Sequence, residues 1–205
     1  MENNIVITIA RQYGSGGREI GRRVAEKLGI LYLDKKILLE AVTESGIHPD
    51  LVRYNDEKAG NPLGQAFAAG GMHSYFNSES TINDKVFQAE SEAIKKFAKQ
   101  GSCVIIGRCA SYVLRHEVRH LSVFINADLD DRIQRAIHQY GEPEKRIRER
   151  LAKQDKQRAH YHSYYTDERW MDLEQYDLTL NSSSVGLENA ADLIIQAAKY
   201  RCRSI

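Results

Sequence analysis

Residues 5–10 read IVITIA: short, β-branched and apolar on nearly every residue. A run without polar alternation is a strand buried on both faces, as in a parallel sheet. Gly14, Gly16 and Gly17 follow directly. The next segment, REIGRRVAEKLG, puts Ile20, Val24 and Leu28 at i, i+4 and i+8 on one helical face, with Gly29 as its stop. The chain therefore opens as strand, glycine-rich loop, helix.

The pattern repeats. Residues 30–33 form a short strand ending at Asp34, and 35–44 a helix stopped by Gly46. Residues 57–81 are rich in Gly, Ala, Ser and Asn and poorly periodic, which predicts a flexible excursion with one short helix. Residues 83–100 read as an amphipathic helix with Val86, Ala93 and Phe97 inward and Gly101 as its stop. CVIIG (103–107), HLSVFIN (120–126) and YDLTLN (176–181) are further strands; 128–140, 143–161 and 187–199 are helices. Strands alternating with helices imply right-handed βαβ units. The expected architecture is one α/β domain over 1–205, a three-layer sandwich whose five-stranded parallel sheet carries helices on both faces. Ligands of such sheets bind beyond the carboxyl ends of the strands. That directs attention to residues 11–18, 34–36, Arg108, 127–132 and 182–184.

Charge and cysteine content exclude several classes. Lys and Arg number 29 against 28 Asp and Glu, a net charge of +1. A nucleic-acid binder working through a broad basic field needs a larger cationic excess, so no nucleic-acid partner is expected. Three cysteines (Cys103, Cys109, Cys202) with no CxxC spacing exclude a disulfide framework and a thiolate zinc site. The first residues lack a signal peptide's basic and apolar regions, and no apolar run approaches the ~20 residues of a membrane span. A cytoplasmic location without membrane contact is the expectation. His116 and His120, and His160 and His162, lack a third ligand, so no metal site is assigned to them.

Backbone N–H groups of a glycine-rich turn ahead of a helix N-terminus make an anion site. A tight strand–helix turn without a ligand is the alternative. The Walker pattern G-x-x-x-x-G-K-[ST] is absent. With GSGG closing the loop, Gly17 takes the lysine slot, Glu19 the place of the magnesium-binding Ser/Thr, and Arg11 that of the first glycine. Arg18 is then the nearest cation. A second register, with Gly16 and Gly21 as the two glycines, pushes the loop into the helix and is disfavoured.

ITIARQYGSGGREIGRRVAEKLG resembles the opening of cytidylate kinases within the P-loop nucleoside monophosphate kinase superfamily. YLDKK, VIIGRCASYVL, FINADLDDRIQRAI, DKQRAHYHSYY and YDLTLNSSSVGLENAADLI resemble their later segments in order, over nearly the whole chain. The loop GSGGREIG is similar to that of the cytidylate kinase-like branch. The resemblance implies a fold of the P-loop NTPase type, ATP-dependent phosphoryl transfer with Mg²⁺ to a small nucleotide acceptor, CMP or dCMP, a monophosphate-binding excursion about 35–82 and a lid about 132–160. Two alternatives stay open: a nucleotide-binding sensor or scaffold without turnover, and a kinase for another small acceptor.

Under that resemblance Gly14, Ser15, Gly16, Gly17, Arg18 and Glu19 hold the donor triphosphate. Arg108 clamps the acceptor phosphate, or forms a surface ion pair. Arg132 and Arg135, i and i+3 on one helix, reach the transferring phosphoryl with Arg18, or belong to a solvated face. Residues 145–158 carry seven Lys/Arg against Glu149 and Asp155, which suits a lid over polyphosphate or a charged helix face. Asp155 and Arg158 read the base, or pair with each other. Asp34 contacts the acceptor sugar or orders Lys35 and Lys36, or caps the next helix. Residues 181–183 pass the donor's adenine, or form a turn. Tyr161, Tyr164 and Tyr165 are packing residues, or stack on a base. Oligomeric state is not legible.

Overall fold

The computed structural model describes residues 4–35, 37–38 and 75–201, with backbone alone for 75–82. Strands β1 (Val6–Arg11), β2 (Leu31–Leu33), β3 (Cys103–Ile106), β4 (Leu121–Asn126) and β5 (Leu178–Asn181) form one parallel sheet in the order β2-β3-β1-β4-β5. The expected five-stranded parallel sheet is therefore present, each strand within two residues of its expected bounds.

Burial of both faces explains the unbroken apolar runs. Ile7 and Ile9 of β1, Val104 and Ile106 of β3 and Val123 and Ile125 of β4 point to one side. There they meet α1 (Gly17–Leu28), through Ile20 and Val24, and the closing helix, through Ala190, Ala191, Ile194 and Ala198. Val6, Cys103 and Ile105 point to the other side, against Ile94, Ala98, Ala110 and Leu114. Those residues belong to α2 (Tyr75–Gln100) and α3 (Ala110–Leu114). Helices α4 (Leu129–His138) and α5 (Ile147–Thr166) make a smaller core of Ile133, Ala136, Ile147 and Leu151. A short α6 (Ser182–Val185) leads into α7 (Leu187–Arg201). Among the described residues no helix is long and apolar enough to cross a membrane.

Several expected details change. Helix α2 starts at Tyr75, ahead of its expected start at residue 83, so 75–82 are helical as well. Its buried stripe is Val86, Glu90, Ile94 and Ala98, spaced by four, while Ala93 and Phe97 are only half-buried. A charged residue in that stripe hid the register from a hydrophobicity reading. Helix α5 starts at Ile147, after Arg146 in left-handed conformation (φ 58°), and runs past Tyr161 because no Gly or Pro intervenes before Asp167 (φ 57°) stops it. Most of the expected 35–44 helix, its Gly46 stop and residues 57–74 lie outside the described residues. Cys103 and Cys109 are buried free thiols, which burial pushes up to about 12.

In this strand order the chain leaves β1 toward β2 on one side, and leaves β3 toward β4 on the other. The topological switch point, where open α/β sheets bind ligands, lies between the carboxyl ends of β1 and β3.

Candidate functional site

The glycine loop closes the carboxyl end of β1. Gly14 is left-handed (φ 81°), and a Cβ there would sit 2.7 Å from the Arg132 carbonyl oxygen, so only glycine fits. Gly16, also left-handed, is the N-cap of α1, and no side chain caps the helix. The first turn of α1 therefore directs uncapped N–H groups into the loop, as an anion site requires. Ser15 is fully buried; its hydroxyl donates to the Gln12 carbonyl (2.9 Å), and its own carbonyl accepts from Ser182 Oγ (2.7 Å).

Gly17 has a different reason to be glycine. A Cβ there would stand 2.6 Å from Arg11 Cβ and 2.9 Å from Cγ. The Arg11 side chain thus runs across the face of Gly17, and its Nη1 comes to rest where a Cβ on Gly107 would be. Arg11 Nε is buried without a hydrogen-bond partner.

After β3 the backbone makes an unusual turn. Gly107, Arg108 and Cys109 are all left-handed, at φ 74°, 57° and 54°. Each non-glycine residue so placed costs roughly 1–2 kcal/mol, and such strain clusters at functional sites. The turn aims Arg108 back over the sheet end, where its Nε lies 3.3 Å from Glu90 Oε1 and its guanidinium 5.5 Å from the Tyr161 ring centre. Tyr161 donates to Glu90 Oε2 (3.2 Å). Glu90 is 1% exposed, and burial raises its carboxyl above the ordinary range against the pull of Arg108, Tyr161 and Lys35. Burial works against the charge of Arg108, but Glu90 and Tyr161 outweigh it and hold the guanidinium above its ordinary value.

Other cations gather at the same point. Arg11 is held well below its ordinary value by burial first, then by Arg158, Arg18 and Arg108. Lys35 is lowered to about 8, by burial first and then Arg108, with Glu90 opposing and Arg18 adding to the drop. Arg158 is lowered to about 10, chiefly by burial. Because Arg keeps its proton in proteins, its lowering measures electrostatic stress rather than neutralisation. Arg18 itself is exposed on the first turn of α1. The constellation is a set of cations short of anions at the switch point.

Helices α4 and α5 supply struts to the loop. Arg132 Nε donates to the Tyr13 carbonyl (2.7 Å), and its Nη2 pairs with Asp155. Asp155 Oδ1 accepts from the Tyr13 N–H (2.7 Å). Arg135 Nη1 donates to the Gly14 carbonyl (2.5 Å). Arg158 Nη1 donates to the Arg11 carbonyl (2.7 Å) and lies 5.4 Å from the Tyr13 ring centre. Arg132 and Arg135 thus share a face, as their spacing predicts, and that face is turned to the loop rather than to solvent. Asp155 pairs with Arg132 instead of Arg158, and both its oxygens are engaged by the loop and α4.

The remaining candidates resolve locally. Asp34 Oδ1 accepts from the Ile37 N–H (3.3 Å), the capping alternative. Asn181 caps the Ser183 N–H (2.9 Å) and donates to Asp128 Oδ1 (2.9 Å). Tyr165 stacks on Phe87 at 3.9 Å and Tyr161 meets it edge-on, so both are packing residues here, while Tyr164 is exposed. His116 and His120 lie in the turn leading into β4, at the opposite end of the sheet. Among the described residues no group of three His, Cys, Asp or Glu could hold a metal ion. Magnesium on a nucleotide needs only one or two carboxylates beside phosphate and water oxygens, and Glu19 in the first turn of α1 fits that smaller role.

The strand ends pointed to 11–18 and 34–36, which hold Arg11, Tyr13 and Lys35, but nothing in the sequence assigned a ligand contact to any of the three; Tyr161 was read as packing or base stacking, and Glu90 was not singled out. Lys35, next to Asp34 in the stretch 34–36 after β2, was within reach. Nothing in local periodicity marks Glu90 as the buried partner of Arg108.

The cytidylate kinase-like family model matches residues 6–184. The cytidylate kinase of Methanopyrus kandleri is 25% identical over 189 residues, covering 88% of this chain and 86% of that protein. That of Archaeoglobus fulgidus is 25% identical over 200 residues, covering 95% of each. The crystal structure of an uncharacterized protein from Eubacterium ventriosum superposes with a TM-score of 0.73 at 26% identity, covering 96% of this chain and 99% of that one. The shikimate kinase of Bacteroides thetaiotaomicron shares the fold, with a TM-score of 0.55 at 13% identity over 95% of this chain and 98% of its own. With its family match reaching from the first strand to the turn after the last, this chain belongs to the cytidylate kinase-like family.

Proposed function

We propose that the protein transfers the γ-phosphoryl group of ATP to a nucleoside monophosphate, CMP or dCMP, in the cytoplasm. The observation that carries this reading is the gathering of Arg11, Arg18, Lys35, Arg108 and Arg158 at the switch point, with Glu90 and Asp155 as the acids acting on them. Phosphoryl transfer asks mainly for positioning and for cations around the transferred group. The donor's phosphates lie along the loop from Gly14 to Glu19, under the uncapped N-terminus of α1 and beside Arg18. Arg108, steadied by Glu90 and aimed by the left-handed turn, takes the acceptor phosphate in a bidentate grip. Arg132, Arg135 and Asp155 hold the loop in shape, and residues 132–160 act as the lid that carries these struts. Asp155, committed to the loop, is a poor reader of the base. Mg²⁺ arriving with ATP neutralises phosphate charge, with Glu19 as the available carboxylate.

The engagement of Arg132 and Arg135 by loop carbonyls favours one alternative, a nucleotide-binding protein without turnover. ADP release from Mg-ATP, measured with CMP, dCMP, UMP, AMP, GMP or no acceptor, separates the two. Turnover with a cytidine monophosphate, lost in Arg18→Ala and Arg108→Ala, is expected. No turnover with any acceptor, while ATP still raises the melting temperature, would leave the binding protein.

A further inference from the structure

We propose that Arg11 grips the donor polyphosphate in place of the lysine missing from the loop, and that Gly17 and Gly107 are glycine to make room for it. This rests on the reading above only in naming the polyanion as a donor nucleotide.

The argument starts from space. Gly17 stands where a loop lysine would rise, but a side chain there collides with Arg11 Cβ and Cγ. Gly17 belongs to α1, and its φ lies outside the left-handed region, so conformation does not demand glycine. Gly107 is left-handed (φ 74°), which favours glycine by itself, and a side chain there would also collide with Arg11 Nη1. Two glycines from different elements therefore form a groove that Arg11 fills, from the last residue of β1 to the mouth of β3. The groove ends at the switch point, where a phosphate would lie between the loop and Arg108.

Charge and hydrogen bonding agree with the packing. Arg11 Nε is buried and has no partner. None of the ion pairs among the described residues includes Arg11. Its charged neighbours are the cations Arg158, Arg18 and Arg108. A structural arginine would be expected to meet a carboxylate or carbonyl; this one is arranged as a donor awaiting an acceptor. The strand supplies the cation that the loop gave up.

The test uses inorganic tripolyphosphate as probe, with CMP as the monophosphate control, and the full chain in four forms. Arg11→Met keeps bulk and removes charge. It is expected to bind tripolyphosphate about ten- to a hundredfold more weakly than wild type, the range for losing a charge-assisted hydrogen bond, with CMP affinity little changed. Its melting temperature without ligand is expected to rise, because a repelled cation is gone; a merely structural arginine would lower it. Gly17→Lys alone is expected to lose binding, since the new side chain displaces Arg11. The exchange Arg11→Gly with Gly17→Lys returns the cation to the loop and is expected to restore affinity to within about tenfold of wild type. Unchanged tripolyphosphate affinity in Arg11→Met overturns the proposal. So does a loss confined to CMP, which would put Arg11 on the acceptor side, and so does wild-type protein that binds no tripolyphosphate. Arg11-dependent binding without turnover on any acceptor would sustain the assignment while refuting the kinase reading. Turnover that survives Arg11→Met at unchanged donor affinity would do the reverse.

Discussion

Gly14 takes up a left-handed backbone pressed against the Arg132 carbonyl, whereas Gly17 is helical and merely lacks room. Gly14→Ala is therefore expected to cost at least about 1–2 kcal/mol from conformation alone, before any clash. Urea unfolding measures it, and a cost near zero would mean that the loop relaxes freely. Arg108 and Glu90 form the other informative pair. Arg108→Met leaves a carboxylate buried without its main partner and should destabilise by about 3 kcal/mol, the low end of the range for breaking a buried pair, because Lys35 and Tyr161 remain. Adding Glu90→Gln should recover most of that stability yet no phosphoryl transfer. Recovery of turnover in the double variant would remove Arg108 from the acceptor site. Gly14 and Arg108 were legible because each follows a recognisable strand. Glu90 was not, because a carboxylate in a helical stripe reads as solvent-facing until the partner that buries it is known.

Helix α5 carries two of the four struts, Asp155 and Arg158, and its ends bear strain that function does not need. Asp167 stops it in left-handed conformation and is exposed. Asp167→Gly is expected to stabilise the protein by about 0.5–1 kcal/mol, since glycine is the favoured residue there. An unchanged denaturation midpoint would show that the Asp167 conformation carries no cost. His162, in the last turns of α5, is buried with a ring nitrogen 3.2 Å from Gln175 Oε1, and burial lowers it below its ordinary value. A base with a lowered folded value binds fewer protons folded than unfolded, between that value and about 6.5. Stability is thus full above about pH 6.5 and falls as acid is added. The melting temperature of His162→Gln should fall less steeply below pH 6.5 than that of wild type; His120, lowered by burial likewise, keeps some slope in both. Parallel curves would clear His162 of this effect.

The sheet brings residues far apart in the chain to one end, and the site exists only there. Lys35, after β2, is lowered to about 8 by burial and by Arg108 and Arg18, which β3 and α1 supply. A bound polyanion favours its charged form. Below pH 8 the lysine is already protonated, so affinity for ATP should be level there. Above pH 8 binding must take up a proton, and affinity should fall by up to tenfold per unit. Calorimetry at pH 8.5 in two buffers of different ionisation enthalpy should register an uptake of up to about three-quarters of a proton, absent in Lys35→Met. No uptake in wild type would remove Lys35 from the polyanion's surroundings.

The unbroken apolar runs and the glycine cluster carried the strand count, the parallel sheet, the tight loop ahead of α1 and the place of Arg108, because local sterics and burial on both faces leave their mark on consecutive residues. The inward face of α2 came from tertiary contacts such as those of Glu90 with Arg108 and Tyr161, and the commitments of Arg132, Asp155 and Arg158 to the loop from packing between segments more than a hundred residues apart. Arg11 belongs with these. In the sequence it is a polar residue at the end of a strand. Folding lays it across Gly17 and against Gly107, and no periodicity within one element can record an accommodation made by three.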